Sequence, residues 1–133
     1  MISDLNIAKD AAIEAGVLIM NYYKADYEIR DKGYHNPVTT ADHAADSYLE
    51  KVLMEARPEY GWLSEETVDS PDRLNKDRVW VVDPLDGTKE FISRNGEFTV
   101  NIALIDNNKP ILGVIHIPVT NETYWGSQLN GSF

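Results

Sequence analysis

Leu5, Ala8, Ala12, Ala15, Ile19 and Tyr22 recur at steps of three and four. That spacing predicts an amphipathic helix, and Ser3 stands where an N-cap belongs. The small alanines on the apolar face predict close approach to a neighbouring element. Lys24 to Pro37 is charged, carries Gly33 and reads as a loop or irregular strand. Ala41, Ala45, Leu49, Val52 and Ala56 repeat the helical pattern. Thr39 or Thr40 is the expected cap of this second helix, and Pro58 its expected end.

Beyond Pro58 the period changes. Gly61 to Ser64 and Arg78 to Val82 read as short strands, and Pro84 is expected to stop the second of them. Val68 to Asp77 is polar, contains Pro71 and reads as a surface loop. Phe98, Val100, Ile102 and Leu104 alternate with Thr99, Asn101 and Ala103, which is strand patterning. Asp106-Asn107-Asn108-Lys109 predicts a turn, Ile111 to Ile117 a strand, Pro118 to Asn121 a turn, and Thr123 to Trp125 a further strand. Hairpins joined in this way predict an antiparallel sheet. Two helices followed by hairpins give an α+β fold with the helix pair packed on that sheet. Asn130-Gly131 is a hairpin-turn signal. Only Ser132 and Phe133 follow it, so the returning strand is expected to be missing.

Composition narrows the function. A chain of 133 residues favours one domain, spanning residues 1–133, and 43% apolar residues can fill its core. A net charge of −10 disfavours binding to polymeric nucleic acid or anionic membrane. A small anionic substrate is still compatible if cations invert the local field. The absence of cysteine excludes disulfides, thiolate catalysis and thiolate metal sites. No apolar run approaches membrane-span length and no export signal opens the chain, so a cytoplasmic location is expected. Peripheral association with the inner face of the cell membrane is kept as a variant of that expectation.

The candidate chemistry begins in DPLDGT, Asp83 to Thr88. Asp-Pro-x-Asp-Gly is common turn chemistry, and the motif alone does not exclude that reading. Yet Asp83 and Asp86, three residues apart around a bend, can face one point, and the Leu85 carbonyl can turn to it. Gly87 admits close backbone approach. A short helix beginning within Lys89 to Ile92 would place the Gly87 and Thr88 amides at an anion-binding N-terminus. A calcium loop of the EF-hand type fails, because its third and twelfth positions would be Leu85 and Arg94. Further acids stand at Glu65 and Glu66, after an apolar strand, and at Asp42, at the expected helix start. Convergence would raise their pKa values unless cations bound there. Oxygen donors without cysteine or histidine favour magnesium over zinc. His35, His43 and His116 read as surface or core residues. Trp80 and Trp125 read as packing residues, and Lys32 as a solvated loop lysine.

NPVTTAD, WLSEE and WVVDPLDGT, in that order and at these intervals, resemble the lithium-sensitive, magnesium-dependent phosphatases of the inositol monophosphatase family. The resemblance covers nearly the whole chain. Lys89-Glu90-Phe91 and the strands that follow look most like the bacterial bisphosphate nucleotidase branch. It implies a sugar-phosphatase fold and hydrolysis of adenosine 3',5'-bisphosphate to AMP and phosphate. It further implies that Glu65, Asp83, the Leu85 carbonyl and Asp86 hold magnesium. Gly87 and Thr88 would meet the phosphate beside Leu85 and Asp86. Asp42 and Thr88, with Glu65, would position or deprotonate the attacking water. The carboxylates of Asp42, Glu65, Asp83 and Asp86 are expected around one cavity, with cations roughly 4 Å apart.

The family is about twice as long, and its C-terminal half supplies a further acid that has no counterpart here. The chain is therefore expected to be an N-terminal portion, marginally stable and nearly inactive alone, with a second copy or the missing half as partner. An inositol monophosphatase is the rival reading. A catalytically inactive metal-binding or assembly fragment is the rival of another class.

Overall fold

The computed structural model describes residues 3–25, 37–64, 76–86, 98–127 and 131–132. Side chains are described for these residues except 22–25, 37–40, 42, 86 and 131–132. Helix α1 spans Asp4–Ala25. The Asn6 amide donates to Ser3 Oγ at 3.1 Å, so Ser3 is its cap, as the sequence predicts. Lys24 and Ala25 complete the helix rather than opening a loop. Helix α2 spans Pro37–Ala56. It starts earlier than expected, because Pro37 suits the first helical turn, where its missing N–H has no helical partner to lose. Thr39 and Thr40 therefore lie inside that turn and are not its cap.

Six strands follow: β1 (Gly61–Ser64), β2 (Arg78–Asp86), β3 (Thr99–Asp106), β4 (Lys109–Ile117), β5 (Glu122–Ser127) and β6 (Gly131–Ser132). They form one sheet in sequence order. The sheet is mixed rather than antiparallel, because β1 runs parallel to β2 and pairs Ser64 with Val82. The other neighbours are antiparallel. Asn107 and Asn108 both adopt left-handed backbone, at φ 49° and 72°, which makes the predicted β3–β4 turn tight. At the far edge, Gly131 lies in β6 rather than at a turn centre, and Ser127 pairs with Gly131. A short return strand is thus present, contrary to the expected missing strand.

Both helices pack on one face of the sheet. Ala8, Ala11, Ala12, Ala15 and Ile19 of α1 and Ala41, Ala45, Leu49 and Leu53 of α2 are buried against Trp80, Val82, Val100, Ile102, Leu104 and Val114. Trp80 is a core residue, and Trp125 packs at the core margin with the Lys9 ammonium 3.8 Å from its ring centroid. The alanine stripe does what its spacing predicts. At Gly16 the approach is closer still: a Cβ there would lie 2.7 Å from His116 Cδ2. Only glycine lets α1 settle on that imidazole.

His116 is 2% exposed, and its Nδ1 lies 2.8 Å from Thr123 Oγ1. Burial pushes its pKa below the ordinary 6.5, and a backbone hydrogen bond at Glu122 offsets this in part. Between the lowered folded value and 6.5, the unfolded chain binds the additional proton. The stability contributed by neutral His116 is therefore intact above pH 6.5 and lost as pH falls through that window. Urea midpoints measured from about pH 7.5 to 5.5 should fall more steeply in the parent than in His116→Gln. Equal slopes would show that the imidazole makes no such contribution.

Opposite the helices, Leu63, Val81, Ala103 and Ile115 share the second sheet face with Tyr124. No described helix or strand crosses it. Ile115 is 47% and Tyr124 50% exposed.

Candidate metal and phosphate site

The sequence feature that governs the site is a proline inside a strand. Strand β2 continues through Pro84 to Asp86 instead of stopping. It does so by a bulge: Asp83 pairs with Asn101, and the next pair is Asp86 with Thr99. Three steps on β2 thus match two on β3, and Pro84 sits in the slack, where no ladder N–H is required. The bulge also breaks the alternation. Pro84 and Leu85 are both buried, Leu85 at 4% exposure. With its side chain in the core, Leu85 can reach a cation or phosphate only through its backbone.

Asp83, just before the bulge, alternates with Val82 and so faces away from the helices. It is half-buried at the edge of a depression of about 790 Å³ on the second sheet face. Leu63, Val81, Asn101, Ile115 and Tyr124 also line this depression. Asn101 stands opposite Asp83, and its Oδ1 accepts a hydrogen bond from Thr99 Oγ1 at 3.2 Å. The parallel register brings the C-terminal ends of β1 and β2 to the same edge of the sheet.

The remaining expected site residues are less fully placed. Asp42 lies in α2 beyond its first turn, and Asp86 ends β2, but their side chains fall outside the description. Glu65, Gly87 and Thr88 lie outside the described residues, as do Lys32, His35 and the expected short helix from Lys89. Among the described residues, no three His, Cys, Asp or Glu side chains gather as a metal site. The expected convergence therefore rests on one placed carboxylate, that of Asp83. The donors placed there, the Asp83 carboxylate and the Asn101 amide oxygen, are hard oxygen ligands of the kind magnesium takes. His116 points into the helix-side core and belongs to a different face.

Two residues were not singled out by sequence reasoning. Asn101 was legible only as an alternating strand position. Asp46 interrupts the apolar stripe of α2 between Ala45 and Leu49, and that interruption was the available signal. It is 5% exposed and accepts a hydrogen bond from Ser64 Oγ.

The sequence pattern of the inositol monophosphatase family matches residues 3–133. The 3'(2'),5'-bisphosphate nucleotidase CysQ of Escherichia coli (strain K12) is 50% identical over 118 residues, which are 85% of this chain and 47% of that protein. The crystal structure of CysQ from Bacteroides thetaiotaomicron, a bacterial member of the same family, superposes with a TM-score of 0.81 at 46% identity. That match covers 95% of this chain and 46% of the other. Inositol monophosphatase-II from Staphylococcus aureus MSSA476 gives a TM-score of 0.83 at 26% identity, over 97% and 48% of the two chains. The chain thus spans about half the length of the curated relatives it matches.

Proposed function

Since the chain belongs to the inositol monophosphatase family, we propose that it forms the metal- and phosphate-binding portion of a magnesium-dependent bisphosphate nucleotidase. The whole protein would hydrolyse adenosine 3',5'-bisphosphate to AMP and phosphate in the cytoplasm. Asp83, set by the bulge at the edge of the open sheet face, is the observation that carries this reading. Its strand end lies beside that of β1, whose last residue, Ser64, is followed in sequence by Glu65.

In this proposal Glu65, Asp83, the Leu85 carbonyl and Asp86 would hold magnesium. When bound, magnesium would neutralise phosphate charge and acidify water, and lithium would compete for its site. Asp42 and Thr88 would orient the attacking water and take its proton, with Glu65 completing that set. The Gly87 and Thr88 amides would donate to phosphate oxygens. Buried Leu85 keeps its own backbone fixed beneath the site, so that little reorganisation is needed when charge arrives.

The choice of nucleotide over inositol rests on 50% identity to a nucleotidase against 26% to an inositol monophosphatase, the two folds matching about equally. Specificity constants for adenosine 3',5'-bisphosphate and inositol 1-phosphate should be compared on the full-length enzyme carrying this segment. The nucleotide is expected to be preferred by about tenfold or more, a difference of about 1.4 kcal/mol in transition-state binding. Equal constants, or preference for the inositol phosphate, would reverse the assignment.

A further inference from the structure

Ser64 and Asp46 are each 5% exposed, and the Ser64 hydroxyl donates to the Asp46 carboxylate. Such a pair is an expensive way to fill a helix–sheet contact. A buried carboxylate needs hydrogen bonds to offset its desolvation, and an apolar pair would pack without that cost. Apolar residues stand beside the pair on both elements: Ala45 and Leu49 flank Asp46, and Val82 is the register partner of Ser64.

The sequence around the pair gives it a purpose. Ser64 directly precedes Glu65, and its partner Val82 directly precedes Asp83. On α2, Asp46 follows Asp42 by four residues, about one helical turn. The hydrogen bond joins β1 to α2, and the parallel pairing joins β1 to β2, so three segments are held together, each within one residue or one turn of an acid assigned above to the cation or the water. We propose that Asp46 and Ser64 are positioning residues: their hydrogen bond clamps the end of β1 to α2 and sets the spacing of those acids, without touching metal or substrate. The inference rests on the nucleotidase reading for the identity of the site, and it extends that reading to residues buried behind it.

Partners of this kind are worth about 10- to 100-fold in metal affinity or activity in metal sites generally. The test uses manganese as the probe, with binding followed by electron paramagnetic resonance on the full-length enzyme without substrate. Asp46→Ala and Ser64→Ala should each weaken manganese binding by about tenfold or more. Turnover should fall in parallel, with KM changed by less than about twofold. Asp46→Asn keeps an acceptor and Ser64→Thr keeps the donor, so both should stay within about threefold of the parent.

Unchanged manganese affinity in both alanine variants would overturn the proposal. So would an Asp46→Asn variant as impaired as Asp46→Ala, because charge rather than the hydrogen bond would then be at work. If Asp46→Ala fails to fold, Ser64→Ala, which deletes one hydroxyl, decides the matter. Weakened manganese binding in an enzyme that does not hydrolyse the nucleotide would uphold the clamp and refute the substrate. A parent that binds no manganese would refute both.

Discussion

Asp83→Asn, made in the full-length enzyme, is expected to lower turnover by about a hundred- to a thousandfold, or roughly 3 to 4 kcal/mol of transition-state stabilisation. The substitution preserves shape but removes the charge that would hold a divalent cation. It should leave the fold intact, because Asp83 is half-buried on the open side of β2, whereas its neighbours Val82 and Pro84 fill the core. The parallel measurement is phosphate release across a magnesium titration, with the unfolding midpoint recorded in chelator. A midpoint close to that of the parent, with turnover lost, is the expected pairing. Parental turnover in saturating magnesium would remove Asp83 from the ligand set.

The largest effect on stability is expected at Asp4. Its carboxylate accepts from Arg57 Nε at 2.8 Å through Oδ1, and from Tyr60 Oη at 2.8 Å and Arg78 Nη1 at 2.9 Å through Oδ2. Arg78 also reaches Asp106 Oδ2 at 3.4 Å. One side chain in the first turn of α1 thus fastens the segment after α2, the start of β2 and, through Arg78, the end of β3. Asp4→Ala would remove the carboxylate shared by two guanidinium groups and a phenol, leaving Arg57 its bond to the Ala56 carbonyl and Arg78 its contacts with Asp106 and Tyr60. With Asp4 13% and Arg57 24% exposed, the loss should be well above that of a surface pair. With Arg78 39% exposed, water will rescue part of it. About 3 kcal/mol is expected from urea unfolding. A loss below about 0.5 kcal/mol would reduce the cluster to ordinary surface pairing.

Local periodicity carried much of this architecture. The alanine stripe of α1, the Ser3 cap and the Asn107-Asn108 turn follow from rules that act within a few residues. Apart from the start of α2, which Pro37 decides locally, the misreadings came where a distant partner decides. Pro84 stops a strand by local rules, but β3 yields one residue of register and lets β2 continue. The parallel partnership of β1 and β2 depends on which strands meet, and hairpin spacing says nothing about it. Nothing local marks Asp4, since its partners lie 53 to 74 residues away. At the candidate site, DPLDGT stands out in the sequence because backbone chemistry and two acids coincide in six residues. Asp46 does not, because an acid in an apolar stripe acquires meaning only when Ser64 is seen across from it.

The Asp4 cluster also sets a schedule. Synthesis runs from α1 towards the sheet, so Asp4 exists long before the groups it will bind. Arg57 follows it by 53 residues and Arg78 by 74. At about 5–20 residues per second, α1 waits for several seconds before the sheet strands that bury its alanine face are made. A lone helix of 22 residues is only marginally stable in water. A helix made ahead of the sheet is consequently among the last elements to be locked, and closure of the domain awaits β3 and β4, which carry Val100, Ile102, Leu104 and Val114.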